Sequence, residues 1–477
     1  MATEAQSLKE NLTNDQVVNS FNQLKQLLAD YSTKDEGLKY DQVVKYFNDL
    51  SDICETLCDA TKYSSINIVD SFKIILIHCL NLVQMDNFNL IAGYSTQFLR
   101  SYVCIIETNK YKITDLFKVN KQYAQQTFFI LLDHLYLSRD IFVYLRKKSI
   151  EKELFNFYWS IFFATLSVIY TALHYIQLTC KDLEKYEIIL SSFIHHIDAH
   201  FDSKCLSEKY HNDLLIKKML DLVWNLCDRT VLVPSLIKIG FGEATLRWIS
   251  LPYLTCKDYR PLISILYNIA RHDMGADVLN ANKAMDILKS FKTYILDTKL
   301  DFIVDNDLYK QINVVYHMLL AMLSDSNGTK VENNILDYLL ETVLNASKLK
   351  SLKCDGFHIS EPLVVLMKLF VNDIVVDYAL KQAKIKNQST MKSSMVEFFC
   401  STLIKLTTSE DELVRLASTA LANIIWSISF HDAYKFELCN SKDFLTTIQN
   451  IHDKELKGNN YFRFLTEAVF SGKLVLD

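Results

Sequence analysis

The sequence predicts an all-α fold, with an α-solenoid of stacked helical repeats in the C-terminal half and a less regular helical N-terminal half. Three observations lead there. Only 9 Gly and 4 Pro occur in 477 residues, too few for the positive-φ turns and corners of a sheet-rich fold. Apolar residues recur at steps of three and four, the spacing of one helix face. In the second half, similar helix ends return every 40 to 55 residues, a periodicity that marks arrays of repeated units.

Composition narrows the functional classes. The chain exceeds the roughly 250–300 residues at which a single core stops growing, so several domains or an extended array are expected. Hydrophobic residues make up 50% and charged residues 22%, which supports a large buried core and argues against long disordered tracts. A net charge of −5 provides no general attraction to nucleic acid or anionic membrane, and neither is an expected partner. The 11 Cys, mostly inside apolar stretches, read as small buried hydrophobes in a reducing compartment. A cytoplasmic location is expected, with the nucleus as the alternative. Residues 1–12 carry Glu4, Lys9 and Glu10 with no apolar run behind a basic cluster, which argues against a secretory leader. The Asn-x-Ser/Thr triplets at Asn11, Asn327, Asn345 and Asn387 are then chance matches.

Residues 154–180 contain no Asp, Glu, Lys or Arg and are long enough to cross a bilayer. Against a membrane span, Asn156, Ser160, Thr165, Ser167, Thr171, His174 and Gln177 recur through the stretch. That polar content suits a helix buried between other helices better than one in lipid, and the buried reading is preferred.

Along the chain, Thr13 with Gln16 makes a capping box ahead of Val17, Val18, Phe21 and Leu24. Apolar helices follow, including residues 72–83 and 124–137. Residues 1–205 are expected to form a helical region of divergent repeats or a cap, 206–457 the repeats, and 458–477 a tail. Phe462, Phe464, Leu465 and Phe470 in that tail suit a final helix or the stub of a further domain.

The clearest repeat unit is LVRLASTALANI, residues 413–424. Leu413, Leu416, Ala417, Ala420, Leu421, Ile424 and Ile428 are expected on one apolar face. Ala417 and Ala420 allow close approach of a neighbour, and Ser409 with Glu412 supplies a capping box. Further copies lie at residues 215–250, where Leu222 to Leu226 ends a long helix and Gly240 with Leu246 begins a turn and the next repeat's first helix. In residues 261–288, Pro261 is expected to open a helix that buries Leu262, Ile265, Leu266 and Ile269. Asn225 and Asn268 stand 43 residues apart, within the roughly 40–47 of an armadillo or HEAT-type repeat.

The pattern in Leu413, Ala417, Ala420, Leu421, Asn423 and Ile424 resembles the third helix of the armadillo repeat: an apolar residue, then Ala, Ala-Leu, and Asn before an aliphatic residue. The resemblance is strongest over 413–451, 215–250 and 261–288. Weaker copies end near Leu323 and Leu369, with Met322 and Lys368 in the place of Asn, at intervals of 54, 46 and 55 residues. It implies a concave face lined by the third helices, on which Asn225, Asn268 and Asn423 hold the backbone of an extended peptide. An Asn amide donates and accepts in one planar group, so it can pair with a peptide unit of any sequence. Helical spacing places Asp221 and Arg229, Ser264 and His272, and Thr419 and Ser427 beside them. Nuclear import receptors of this family carry Trp four residues before the Asn, whereas this chain has Asp221, Ser264 and Thr419, which argues against recognition of a basic import signal. The competing role for these asparagines is to cap or bridge neighbouring helices.

Other constellations are weaker. His195, His196, Asp198, His200, Cys205 and His211 crowd one region, but no Glu follows His196 as in the zinc-protease motif, so a polar helix end is preferred to a metal site. Cys54 and Cys58 fall on an apolar face. Lys381, Lys384, Lys386 and Lys392, with Asn387 to Thr390 among them, read as an exposed loop. No phosphate-cradling loop, nucleophile elbow or dinucleotide fingerprint occurs, so no enzyme activity, cofactor or metal is expected. The sequence thus points to a scaffold that binds a protein partner. The alternative is the regulatory or autoinhibitory half of a multidomain signalling protein, for example one ending in a TIR domain.

Overall fold

The computed structural model describes residues 114–137, 166, 169, 171–173, 176–204, 214–251, 254, 256–293, 306–326, 331–381 and 394–455. Apart from one short hairpin, its elements are helices, as the scarcity of Gly and Pro demands. The chain divides into two units, Met1–Leu226 and Cys227–Asp477.

In the first unit, α1 (Lys121–Leu137) packs against α2 (Cys180–Lys204). Phe128, Leu131, Leu132 and Leu135 line one face of α1; Tyr186, Ile189, Leu190, Phe193 and Ile197 line one face of α2, and all are buried. Both sets follow the three-and-four spacing of a single helix stripe, and each such side chain contributes about 1.5–3 kcal/mol on burial. The Lys185 ammonium bridges to the Asp133 carboxylate across the pair. Most of residues 154–180 lies outside the described residues. Within it, Leu166, Ile169, Thr171, Ala172 and Leu173 are buried, and Ile176 to Thr179 are not helical. No described helix is long and apolar enough to cross a membrane. The capping box at Thr13, the helix over 72–83, Cys54 with Cys58, and the tail aromatics Phe462, Phe464 and Phe470 also lie outside the described residues, as do Asn11, Asn327 and Asn387.

α3 (Leu214–Cys227) carries the chain into the second unit. There α4 (Val233–Lys238), α5 (Phe241–Ile249) and α6 (Cys256–Ala270) form one triplet, and α7 (Asp273–Ala281), α8 (Ala284–Phe291) and α9 (Asn306–Ser326) the next. α4 packs on α7, α5 on α8 and α6 on α9, so the second triplet is a stacked copy of the first. The third copy has α10 (Asn333–Ser347), a hairpin of β1 (Lys353–Cys354) and β2 (Phe357–His358), and α11 (Ser360–Leu369). α12 (Asp373–Lys381), α13 (Met395–Leu406) and α14 (Glu412–Ser429) complete a fourth, followed by α15 (Asp432–Asn440) and α16 (Lys442–Glu455). The long third helices form a continuous row, α6 on α9, α9 on α11 and α11 on α14. This unit is therefore an α-solenoid of stacked helical copies, as the resemblance to the armadillo repeat implied.

Local chemistry sets the corners. Gly240 (φ 76°) turns α4 into α5, and 43 residues later Lys283 (φ 59°) makes the same left-handed turn between α7 and α8. Gly240 was placed at a turn by the sequence, but the helix after it is the second of its triplet, because α4 is already formed before it. Pro261 does not open its helix; α6 starts at Cys256. At the sixth helical position the ring removes the bond to the Lys257 carbonyl, and packing of α6 against α5 and α9 carries the helix through it. All of residues 261–270 are buried, not one face, because α5 and α7 on one side and α9 on the other enclose α6. Gly275 is required by contact: a Cβ there would lie 2.1 Å from the Ile269 carbonyl oxygen, so α7 rests on the backbone at the end of α6.

In α14, Ala417, Ala420, Leu421, Ile424 and Ile428 are buried as expected, but Leu413 and Leu416 are about half exposed. Both sit on the first two turns of α14, at the start of the helix. The N-cap is Asp411, whose carboxylate accepts from the N–H groups of Leu413 (2.9 Å) and Val414 (3.1 Å). Ser409 accepts instead from the Asp411 N–H at 3.3 Å, so the expected Ser409–Glu412 box is displaced by a cap two residues on.

Two consequences are measurable. Gly275→Ala should lower stability by roughly 1–3 kcal/mol through overpacking, read as a lower melting temperature. Asp411→Ala should lose about 1 kcal/mol while Ser409→Ala changes stability by much less; equal losses in chemical denaturation would refute this assignment of the cap.

Candidate functional site

The polar faces of the third helices of the second unit bring the candidate residues into view. Asn268 is 7% exposed and sits three residues before the α6 C-cap. Its neighbour Ser264, also buried, donates to the Arg260 carbonyl at 2.8 Å and accepts from the Arg260 guanidinium. Arg260 also reaches the Gln311 amide oxygen of α9 (3.3 Å) and lies over the Phe357 ring of the hairpin, 5.1 Å from its centroid. Burial lowers the Arg260 pKa to about 10. Asp355 and Gly356 both have positive φ, the geometry of the tight hairpin turn that Asp-Gly favours. The turn holds Phe357 beneath the guanidinium.

At the other end of the same helices, Arg271 pairs with Asp228 at 3.1 Å, two residues that stand 43 apart. Lys368 of α11 bonds to the Asp273 carboxylate at 2.9 Å and reaches the Arg271 carbonyl at 3.4 Å. It therefore passes over the end of α9 to meet the start of α7. The Asp273 pKa is lowered, chiefly by that hydrogen bond, while burial raises that of Asp325 beside it. Glu361, in the first turn of α11, has its pKa raised by burial, an effect only partly offset by the His358 backbone N–H and the nearby Arg271 and Arg260. Burial also holds His317 of α9 near a pKa of about 4; its ring stacks on Tyr338 at 3.9 Å and its Nδ1 lies 2.7 Å from the Asn313 carbonyl.

The face over α6, α9 and α11 is thus occupied by its own side chains. α14 differs. Asn423 is half-buried, its amide donating to the Thr419 carbonyl one turn back at 2.8 Å. Ser427, one turn on, shares the stripe. Trp426 and Phe430 meet edge to face at 5.2 Å, and Leu416 lies on the same side. Asn423 is six residues before its helix end, whereas Asn268 is two from its own.

Asn225, in the first unit, is exposed, and its amide donates to the Asp221 carbonyl at 2.6 Å. Two flanking residues depart from the expected stripes. Arg229 and His272 follow the ends of α3 and α6 and adopt extended backbone as caps of the next elements. A residue past a helix end no longer shares the helix's face, so Arg229 and His272 are corner residues. Met322 is buried and Lys368 is bound to Asp273, so the asparagine series is interrupted at both positions.

The hairpin clamp and the corner ion pairs were not read from the sequence, although Asp355-Gly356 is a hairpin signal and Asp228 and Arg271 recur at the repeat spacing. Among the described residues no group of three or more His, Cys, Asp or Glu could hold a metal ion. His195, His196 and Asp198 lie on α2, and His200 lies on the same helix; Cys205 and His211 are outside the described residues. Of the lysine series, Lys381 pairs with Asp377 at 3.0 Å, and Lys384, Lys386 and Lys392 are outside the described residues. His358 Nδ1 lies 2.9 Å from the Ser360 hydroxyl, which suggests a base and a nucleophile, but the Ser360 backbone N–H also donates to that nitrogen at 3.2 Å. With Ser360 wholly buried, the pair fixes the start of α11.

The fold and this face define an all-α helical-repeat protein. No family model matches the chain, and no curated protein matches it. Among solved structures it is similar to the crystal structure of SYS-1, with 10% identity over 96% of this chain and 99% of that one and a TM-score of 0.42. It is also similar to a chain described under "A conserved phosphorylation switch controls the interaction between cadherin and beta-catenin in vitro and in vivo", with 12% identity over 98% and 99% and a TM-score of 0.40.

The buried acid gives a test with a definite sign. Because the folded-state pKa of Glu361 is raised above its ordinary 4.5, the charged form opposes folding, and stability is lost as pH rises through and above that value. Glu361→Gln, which keeps an acceptor for the His358 N–H, should match the parent protein at pH 3.5 and melt higher at pH 7. An equal difference at both pH values would show that ionisation of Glu361 is not the cause.

Proposed function

We propose that this chain is a protein-interaction scaffold whose third-helix row holds an extended segment of a partner protein, with α14 as its working part. The observation that carries this reading is the contrast along the row. Over α6, α9 and α11 the polar groups are satisfied internally by Arg260, Arg271, Lys368 and the hairpin. On α14 an amide, a hydroxyl and large apolar groups face outward together. A peptide backbone needs such groups within reach: an acceptor for its N–H, and apolar surface to remove from water. Asn423 and Ser427 are the residues assigned to that role, while the burial of Asn268 makes it a packing residue of α6. Repeat arrays use a continuous inner surface in this way, and no catalytic constellation competes for the same groups.

The reading is tested by site-specific photo-crosslinking. A benzophenone amino acid at Ser427 should capture a partner protein from cells, whereas the same group at Lys289 on α8, away from the row, should not. Asn423→Ala should reduce the yield at Ser427 severalfold without changing the melting profile. Equal capture at both positions, or an unchanged yield in folded Asn423→Ala, would refute the assignment.

A further inference from the structure

The open stripe of α14 continues into a corner whose chemistry is specific. His431 Nε2 lies 3.3 Å from the Asp373 carboxylate, and this contact brings together the start of α12 and the end of α14. Three large apolar side chains surround it in the open: Val371 is 82% exposed, Phe430 66% and Ile374 59%. Trp426 backs Phe430 edge to face. Single exposed apolar residues need no explanation, but a cluster beside an Asn-bearing stripe is the composition of a contact surface.

The charge around the stripe has one sign in excess. Asp373 and Asp432 carry side chains 88% and 94% exposed at the corner, with Asp377 next on α12, and Glu410, Asp411 and Glu412 stand exposed at the start of α14. Among the described residues, the permanent cations on these helices beside the carboxylates include Arg415, Lys381, held by Asp377, and Lys435, held by Asp432. The last carbonyls of α14 add partial negative charge at the corner.

We infer that this stripe and corner take an extended partner segment with bulky apolar side chains in its middle and Lys or Arg at the end that meets Asp373 and Asp432. The inference rests on the functional reading given above and adds the partner's chemistry. Leu416 and Phe430 are fourteen residues apart on α14, about 21 Å at the helical rise, which an extended chain spans in roughly six residues. The Asn423 oxygen, its amide turned to Thr419, stands midway to accept a backbone N–H. Apolar burial on Trp426, Phe430 and Ile374 supplies the attraction, and Asp373 and Asp432 draw a basic end to the corner.

Fluorescence anisotropy on the full chain tests this with three labelled decapeptides. All have a Ser/Thr backbone; two carry Phe at positions 3 and 8, one with Lys-Lys and one with Asp-Asp at its end, and the third has Lys-Lys but no Phe. The Phe peptide with Lys should bind most tightly. Phe430→Ser should weaken it by about tenfold, the scale of a central apolar anchor. The double variant Asp373→Lys with Asp432→Lys should weaken it by a similar factor and strengthen the Asp-ended peptide, a gain that misfolding cannot produce.

Tighter binding of the Asp-ended peptide that is still lost in Phe430→Ser would overturn the partner class while leaving α14 as the face. Binding of the two Lys-ended peptides with equal affinity would overturn the apolar centre. Tighter binding by a peptide of this chain's own residues 459–471 would assign the stripe to an internal occupant. A dimer in sedimentation that dissociates in Phe430→Ser would assign it to a second copy. Either result overturns the inference. Absence of peptide binding together with unchanged crosslinking at Ser427 in Asn423→Ala would remove both this inference and the reading beneath it.

Discussion

The second unit depends on the contact of each third helix with the next. α6, α9, α11 and α14 carry its deepest apolar residues, and each is buried by its neighbours in the row as much as by its own triplet. No single triplet buries its faces alone, which is the general condition of repeat arrays. The shorter helices brace the row. α7 touches backbone at Gly275, and α5, whose own Phe241 and Trp248 rings meet edge to face at 5.6 Å, packs on α6. Each triplet therefore gains its stability from its position.

This dependence explains which features can diverge. Residues pointing into the row are confined by close packing, so the aliphatic positions of α9 and α11 persist while the asparagine positions change to a buried Met322 and a Lys368 bound to Asp273. The third copy departs further, with a hairpin of β1 and β2 between α10 and α11. The departure is locked by Arg260 from α6, whose guanidinium lies on Phe357. A turn inserted without such a partner would leave its ring exposed.

The fold was legible because its signals are local: few Gly and Pro, helical spacing, and a repeat interval that the structure reproduces in Gly240 and Lys283. Helix boundaries were harder. Pro261 suggested a start that tertiary packing moved to Cys256, and Ser409 suggested a cap that Asp411 supplies. The site was legible only in part. Sequence spacing can show that Asn268 and Asn423 hold matching places in the repeat pattern, but not that one is buried while the other is half-exposed. Enclosure depends on residues distant in the chain, such as Lys368 on Asp273. Arg229 and His272 show a related limit, because a stripe extrapolated past a helix end has no meaning once the backbone becomes extended.

The bridges that pass over α9 alter how this array should come apart. In an ordinary stack each unit touches only the one before and the one after, so loss of order advances from an end one step at a time. Here Arg260 of α6, in the first triplet, lies on Phe357 of the hairpin in the third, so second neighbours are linked directly across α9, while Lys368 ties α11 to the start of the adjacent triplet at Asp273. The exposed ion pair is weak alone, but together these links make the middle of the unit cooperative over three helices. Fraying that begins at α16 would meet its first firm barrier at α11.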